Sequence, residues 1–222
     1  MAFCRVSDIN GQEKNPRWTS DGTEILFVAF RFDSDIFGLY RQSPVPEPSD
    51  RLLVIDFNGL DPPGEFNDFE DTYSVSPKGK IAISSNGIYT FNSDGSNYVR
   101  IIPQSDYHPL YSPSWSPDGN KLALLAMNTD PAGILSVGVI LYNPDGTHPD
   151  TLVTMAASGN TTWLGSNSYS LCWSPDGSQV AFTRPDGPDV GSHIYVIRTD
   201  KTELTQVTFS AGVTDRSLSW GN

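Results

Sequence analysis

Apolar runs in this chain are short, rich in β-branched and aromatic residues, and separated by polar turn clusters; none repeats with a helical period. Strands are predicted at 24–29, 80–84, 121–126 and 179–183. A second set follows at 36–40, 87–91, 138–142 and 193–197, and a third at 51–55, 98–102, 151–154 and 203–208. The polar clusters between them carry the residues that tight turns demand. Asn92-Ser93-Asp94-Gly95 and Asn143-Pro144-Asp145-Gly146 are clear, and Arg198-Thr199-Asp200-Lys201 is a degenerate copy.

The turn before each strand of the first set is itself a repeat. It reads Trp18-Thr19-Ser20-Asp21-Gly22, Val75-Ser76-Pro77-Lys78-Gly79, Trp115-Ser116-Pro117-Asp118-Gly119 and Trp173-Ser174-Pro175-Asp176-Gly177, with a truncated fifth copy at Trp220. Proline pre-sets φ, Asp tolerates the next position, and Gly supplies the left-handed residue that closes a hairpin. A residue-level repeat on this scale means a solenoid or propeller. Four antiparallel strands per copy make a propeller blade. The predicted fold is therefore all-β: one domain over 1–222, with four-stranded blades at 16–57, 73–104, 113–155 and 171–209 and flanking strands at 2–6 and 216–222. Residues common to all copies are expected to hold the scaffold, and residues that break the pattern are where function is to be sought.

The Trp-Ser-Pro-Asp-Gly hairpin, Ile194-Tyr195-Val196 and the stretch from Leu204 to Thr208 resemble the TolB-like β-propeller repeat, over essentially the whole chain. Related blades form the non-catalytic propellers of prolyl-oligopeptidase-type peptidases. The resemblance implies a protein- or peptide-binding scaffold in a periplasmic or extracellular setting; it speaks strongly for fold and weakly for function. Val75 and Lys78 depart from the repeat, and Ser43-Pro44-Val45-Pro46-Glu47-Pro48 interrupts the first copy with a segment that cannot pair in a sheet.

Net charge is −12, which makes nucleic acid and anionic membrane surfaces poor partners, and no apolar run is long enough for a transmembrane helix. The start, Met1-Ala2-Phe3-Cys4-Arg5, turns polar at once and shows no signal peptide. Cys4 and Cys172 sit on different strand types and are expected as partly buried thiols that do not pair. The motif tryptophans, Trp18, Trp115, Trp173 and Trp220, are expected in the packing between blades. There a buried ring is worth roughly 4–6 kcal/mol of gross transfer energy.

Trp163 lies outside any repeat position, in a loop joining one blade to the next. In a propeller such loops share one end of the central channel. The equivalents carry Phe66 and Phe69, and Tyr107 with His108; Asn167 lies beside Trp163 in sequence. Aromatic and polar groups converging on a rigid scaffold suit a binding surface. The expected binding residues are therefore Phe66, Phe69, Tyr107, His108, Trp163 and Asn167, facing a protein or peptide partner, with the alternative that these rings fold back over their own loops.

Catalytic patterns are sparse. Three histidines, His108, His148 and His193, show no metal-ligand spacing, and no Gly-x-Ser-x-Gly nucleophile elbow occurs. The run Asp61, Glu65, Asp68, Glu70 and Asp71 lacks the calcium-loop pattern and reads as a solvated loop, so no cofactor, catalytic residue or metal ligand is predicted; a structural calcium there is the alternative. Asp33 with Asp35 and Asp186 with Asp189 are weaker versions of the same idea. The competing reading is a propeller lyase or hydrolase acting on a polysaccharide or peptide at the same loop end, using His108 with Arg184 or Arg216. Finally, the inventory of one outer strand, four blades and one inner strand predicts an open blade, completed by further sequence of a longer propeller or by strands of another chain in an oligomer or filament.

Overall fold

The computed structural model describes residues 11–31, 36–45, 52–57, 73–84, 87–103, 110–129, 135–156, 170–187, 191–209, 213–214 and 218–221. The repeat turns close as their chemistry requires. In the third copy the Gly119 N–H donates to the Ser116 carbonyl (2.8 Å) with Gly119 at φ 65. The Asp118 carboxylate accepts the Ser116 hydroxyl (2.6 Å) and the Asn120 backbone N–H (3.0 Å). Asp21 and Asp176 repeat this pattern with Thr19 and Ser174.

These turns join strands into four antiparallel sheets, arranged as a four-bladed β-propeller with no α-helix among the described residues. The first blade is β1 (Gly11–Trp18), β2 (Ile25–Arg31), β3 (Ile36–Gln42) and β4 (Leu52–Asp56), and the second β5 (Tyr73–Val75), β6 (Lys80–Ser84), β7 (Gly87–Asn92) and β8 (Val99–Pro103). The third is β9 (Leu110–Trp115), β10 (Leu122–Thr129), β11 (Leu135–Tyr142) and β12 (Asp150–Ala156). The fourth is β13 (Leu171–Trp173), β14 (Gln179–Gly187), β15 (Gly191–Arg198) and β16 (Thr205–Gln206), with β17 (Val213–Thr214) pairing parallel to β15. Within each blade the strands pair in sequence order, inner to outer.

Middle strands of the second and third blades are apolar on both faces because each of these blades is sandwiched between two others. Ile81 and Ile83 pack toward the first blade, while Ala82 between them packs toward the third. Leu122 and Leu124 face the second blade, and Ala123 and Leu125 the fourth. Period-two alternation thus sorts one strand into two cores.

At the outer turns the blades touch through backbone. A Cβ on Gly95 would lie 2.2 Å from the Val54 carbonyl oxygen, and one on Gly146 would lie 2.3 Å from that of Ile101. Only glycine allows that approach, and both residues have positive φ. Lys201 holds the corresponding place in the fourth blade with φ 69, and its ammonium reaches the Asp150 carboxylate on the third blade instead. Two residues further on, Asn97, His148 and Glu203 are each left-handed, with φ 55, 54 and 54. His148 is thereby accounted for as a turn residue, its Nδ1 lying 2.8 Å from the Thr147 hydroxyl.

Several expectations need correction. Trp115 and Trp173 are buried as expected, at 6% and 8% exposure, but Trp18 is 55% exposed and Trp220 half-buried. For Trp18 the reason is direction: the buried tryptophans pack on the preceding blade, and the first blade has none before it among the described residues. The fourth strand predicted at 203–208 pairs only over Thr205–Gln206; it starts two residues after left-handed Glu203, as β8 and β12 start two residues after Asn97 and His148. Beyond it, the Val207 N–H still donates to the Ile194 carbonyl (2.8 Å) and the Ile194 N–H to the Thr208 hydroxyl (2.9 Å).

The pattern-breaking residues also have a different use from the one expected of them. Val75 cannot make an indole hydrogen bond, and Tyr73 on the same strand bridges to the first blade instead. Its hydroxyl donates to the carbonyls of Asn15 (2.6 Å) and Leu26 (3.1 Å). Lys78, standing where other copies have Asp, sends its ammonium to the Asn120 amide oxygen on the third blade's turn. With Lys201, these departures join blades. Within the described residues they are structural.

Candidate functional site at the two ends of the propeller axis

Strand polarity defines two ends of the disc. Inner strands β1, β5, β9 and β13 run toward the repeat turns, so those turns and the β3–β4-type turns share one end. The strand ends flanking the blade-to-blade connections, Asp56 and Tyr73, Pro103 and Leu110, Ala156 and Leu171, therefore lie at the opposite end. Phe66, Phe69, Tyr107, His108, Trp163 and Asn167 belong to those connections and lie outside the described residues. The same holds for the acidic run 61–71, the Asp33/Asp35 and Asp186/Asp189 pairs apart from Asp186, Cys4 and Arg216. Asp186 falls within β14.

Several polar groups of the fourth blade stand toward the loop end, where β14 ends and β15 begins. Arg184 pairs in register with His193, and its guanidinium carbon sits 5.2 Å from the Tyr195 ring centroid. That distance suits a cation–π contact. His193 is buried, as are its neighbours Ser192 and Thr183. The Thr183 hydroxyl accepts the Ser170 backbone N–H (2.8 Å), tying the inner strand to β14. Among the described residues, no group of three or more His, Cys, Asp or Glu side chains could hold a metal ion.

The turn end holds an opening that the sequence reading did not single out. Its volume is about 410 Å³, and its lining comes from all four blades: Trp18, Val75, Trp115 and Trp173, with Pro77, Pro117, Cys172 and the serines 20, 76, 114 and 116. The signal was present, because residues at one repeat position on successive inner strands must converge on the axis. Apart from the half-buried Cys172 thiol, nothing in that lining titrates. The carboxylates of this end stand outside it in the turns. Hydrogen bonds from Thr19, Ser116 and Ser174 hold Asp21, Asp118 and Asp176 down at about 2. Hydrogen bonds from Ser96, Thr147 and Thr202 likewise lower Asp94, Asp145 and Asp200. Their lone pairs are engaged in holding the turns.

The sequence matches no protein-family model and no curated protein. Solved structures do match. An oligogalacturonate lyase in complex with manganese superposes with TM-score 0.60 at 14% identity, over 90% of this chain and 54% of that one. The oligogalacturonate lyase from Vibrio parahaemolyticus gives 0.59 at 12% identity, over 90% and 55%. A structure from a study of two prolyl endopeptidases gives 0.56 at 15% identity, over 91% of this chain and 30% of that one. This chain thus spans about half the length of the two lyases. At such identities the likeness establishes the fold, a β-propeller, and only that.

Proposed function

We propose that this chain is a TolB-like, non-catalytic propeller scaffold that binds a protein or peptide partner through the loop end of its axis, in a periplasmic or extracellular setting. The observation that carries the reading is strand polarity. The strand ends flanking the three aromatic-bearing connections lie on one side of the disc, so a single partner can meet Phe66, Phe69, Tyr107, His108, Trp163 and Asn167 together. The second and third blades behind them are sandwiched, and hydrogen bonds from Tyr73, Trp173 and Lys201 cross the blade junctions, which suits a preorganised contact surface.

The competing reading is a lyase or hydrolase at the same end. Arg184, paired across the strands with His193, is the observation that favours it. One experiment separates the two. Phage-displayed peptides are selected on the immobilised chain, and the chain is incubated with oligogalacturonate plus manganese and with a proline-containing peptide. Peptide enrichment that Trp163→Ala abolishes, with no turnover of either substrate, is the expected result. Turnover lost in His108→Ala would overturn it in favour of the enzyme, and enrichment indifferent to Trp163→Ala would remove the loop end as the contact face.

A further inference from the structure

The opening on the axis at the turn end is walled mostly by carbon. Trp18, Trp115 and Trp173 line it together with Val75, Pro77 and Pro117, and none of its lining side chains carries a formal charge. Its volume of about 410 Å³ lies in the range of small-molecule sites, roughly 300–1,000 Å³. Little in the wall is left to hydrogen-bond a guest. The Trp173 N–H is taken by the Ser114 carbonyl at 2.9 Å, and the Trp115 N–H is itself buried. The Ser116 hydroxyl donates to Asp118 at 2.6 Å, and the Ser76 hydroxyl accepts the Lys78 backbone N–H at 3.1 Å. A guest rich in N–H or O–H groups would leave donors unpaired against such a surface, which is costly.

Charge stands around the opening rather than in it. The inner turns, at 19–23, 76–79, 116–120 and 174–178, hold four charged side chains: Asp21, Asp118 and Asp176 against Lys78. All four are exposed, and the Lys78 ammonium is held by the Asn120 amide oxygen. Glu24, Lys80 and Lys121 stand where the second strands begin, further from the axis; there Lys121 reaches out to Asn143, and Glu24 pairs with Arg41. Arg17 turns back to the Pro16 carbonyl. The turns nearest the axis therefore set net negative charge around an uncharged wall with three indoles.

These two properties select one class of guest. An anion is repelled by the rim. A cation is attracted, and indole is the best aromatic partner for one. A cation with no N–H group leaves no charged donor unpaired against the carbon wall. We propose that the axial opening at the turn end binds a quaternary ammonium compound, its methyl groups against the tryptophans and its charge facing the carboxylates of Asp21, Asp118 and Asp176. The site lies at the opposite end of the axis from the aromatic connections proposed to meet a protein or peptide and shares no residue with them, so the two stand or fall separately.

Calorimetric titration of the full chain with choline, and with its neutral isostere 3,3-dimethylbutan-1-ol, tests the site. Choline is expected to bind saturably and about tenfold more tightly than the isostere. Its binding should weaken as added salt screens the exposed rim. Trp18→Ala, at a position 55% exposed, should weaken choline about threefold or more while leaving the melting temperature almost unchanged. Lys78→Asp restores the carboxylate that the other three copies carry and should tighten choline about twofold or more. The absence of saturable choline binding overturns the proposal. Equal binding of the isostere overturns it as well, since the opening would then be an apolar cavity indifferent to charge. Choline binding that ignores either variant places the cation elsewhere on the chain and overturns it too.

Discussion

The indole nitrogen of Trp173 donates a hydrogen bond to the carbonyl oxygen of Ser114, 2.9 Å away on the neighbouring blade. Trp173 therefore acts across a blade junction: it buries a large apolar ring against the preceding blade and satisfies its own N–H there. Equal residues in the repeat consequently do unequal work, according to whether a preceding blade is present.

Trp173→Ala is expected to destabilise the chain by about 3–5 kcal/mol, the range for truncating a buried aromatic. Trp18→Ala should cost about 0.5 kcal/mol or less, as for an exposed position. Urea denaturation of the two variants, done where the chain is monomeric, checks the contrast; equal losses would contradict the directional packing.

Tyr73→Phe keeps the ring but removes the donor that serves Asn15 and Leu26. A loss of about 1–2 kcal/mol is expected, the net worth of a buried hydrogen bond plus an acceptor left unsatisfied. Tyr73→Phe together with Val75→Trp tests whether the repeat tryptophan can take over that link. Recovery of half the loss or more would show that the two residues are alternative solutions to one junction.

Gly146→Ala combines a positive φ with a Cβ that would lie 2.3 Å from the Ile101 carbonyl oxygen. Gly22→Ala meets the φ cost in open space. The first should cost about 2–4 kcal/mol and the second about 1 kcal/mol. Lys201→Gly should be close to neutral, since it relieves φ while losing an exposed ion pair worth about 0–1 kcal/mol. Thermal melts of the three variants give the ranking directly.

Acid should unfold the chain in a defined window. The carboxylates of Asp21, Asp118 and Asp176 are held at about 2, below the ordinary value of 3.8, by hydroxyl and backbone N–H donors in the turns. A folded-state value below the unfolded one means that the stabilisation is full above about pH 4 and disappears as pH falls toward 2. Asp118→Asn with Asp176→Asn should flatten that slope in a pH series of melting temperatures. An unchanged slope would mean that these turns do not govern acid stability. Burial pushes the Tyr73 phenol upward, so its contribution holds below pH 10 and is lost as pH rises further.

Four-stranded blades were legible in the sequence because turn chemistry and period-two alternation are local. Ser116-Pro117-Asp118-Gly119 closes its hairpin with atoms of its own neighbourhood, and the 80–84 strand has the bounds the pattern predicts. The loop residues proposed for binding also came from sequence, as the aromatics that no blade position explains. Other features depend on what stands opposite a residue, which no local pattern carries. Trp18 and Trp173 occupy the same repeat position, yet only one has a blade before it, so one is exposed and the other buried. Val75 and Lys201 look like lapses in the repeat until Tyr73 is seen reaching Leu26, and Lys201 reaching Asp150, across the junctions. The axial opening likewise exists only because four inner strands, distant in sequence, converge. Local bonding determined the blade, and the contacts between blades, which join residues far apart in the chain, decided what each copy of it does.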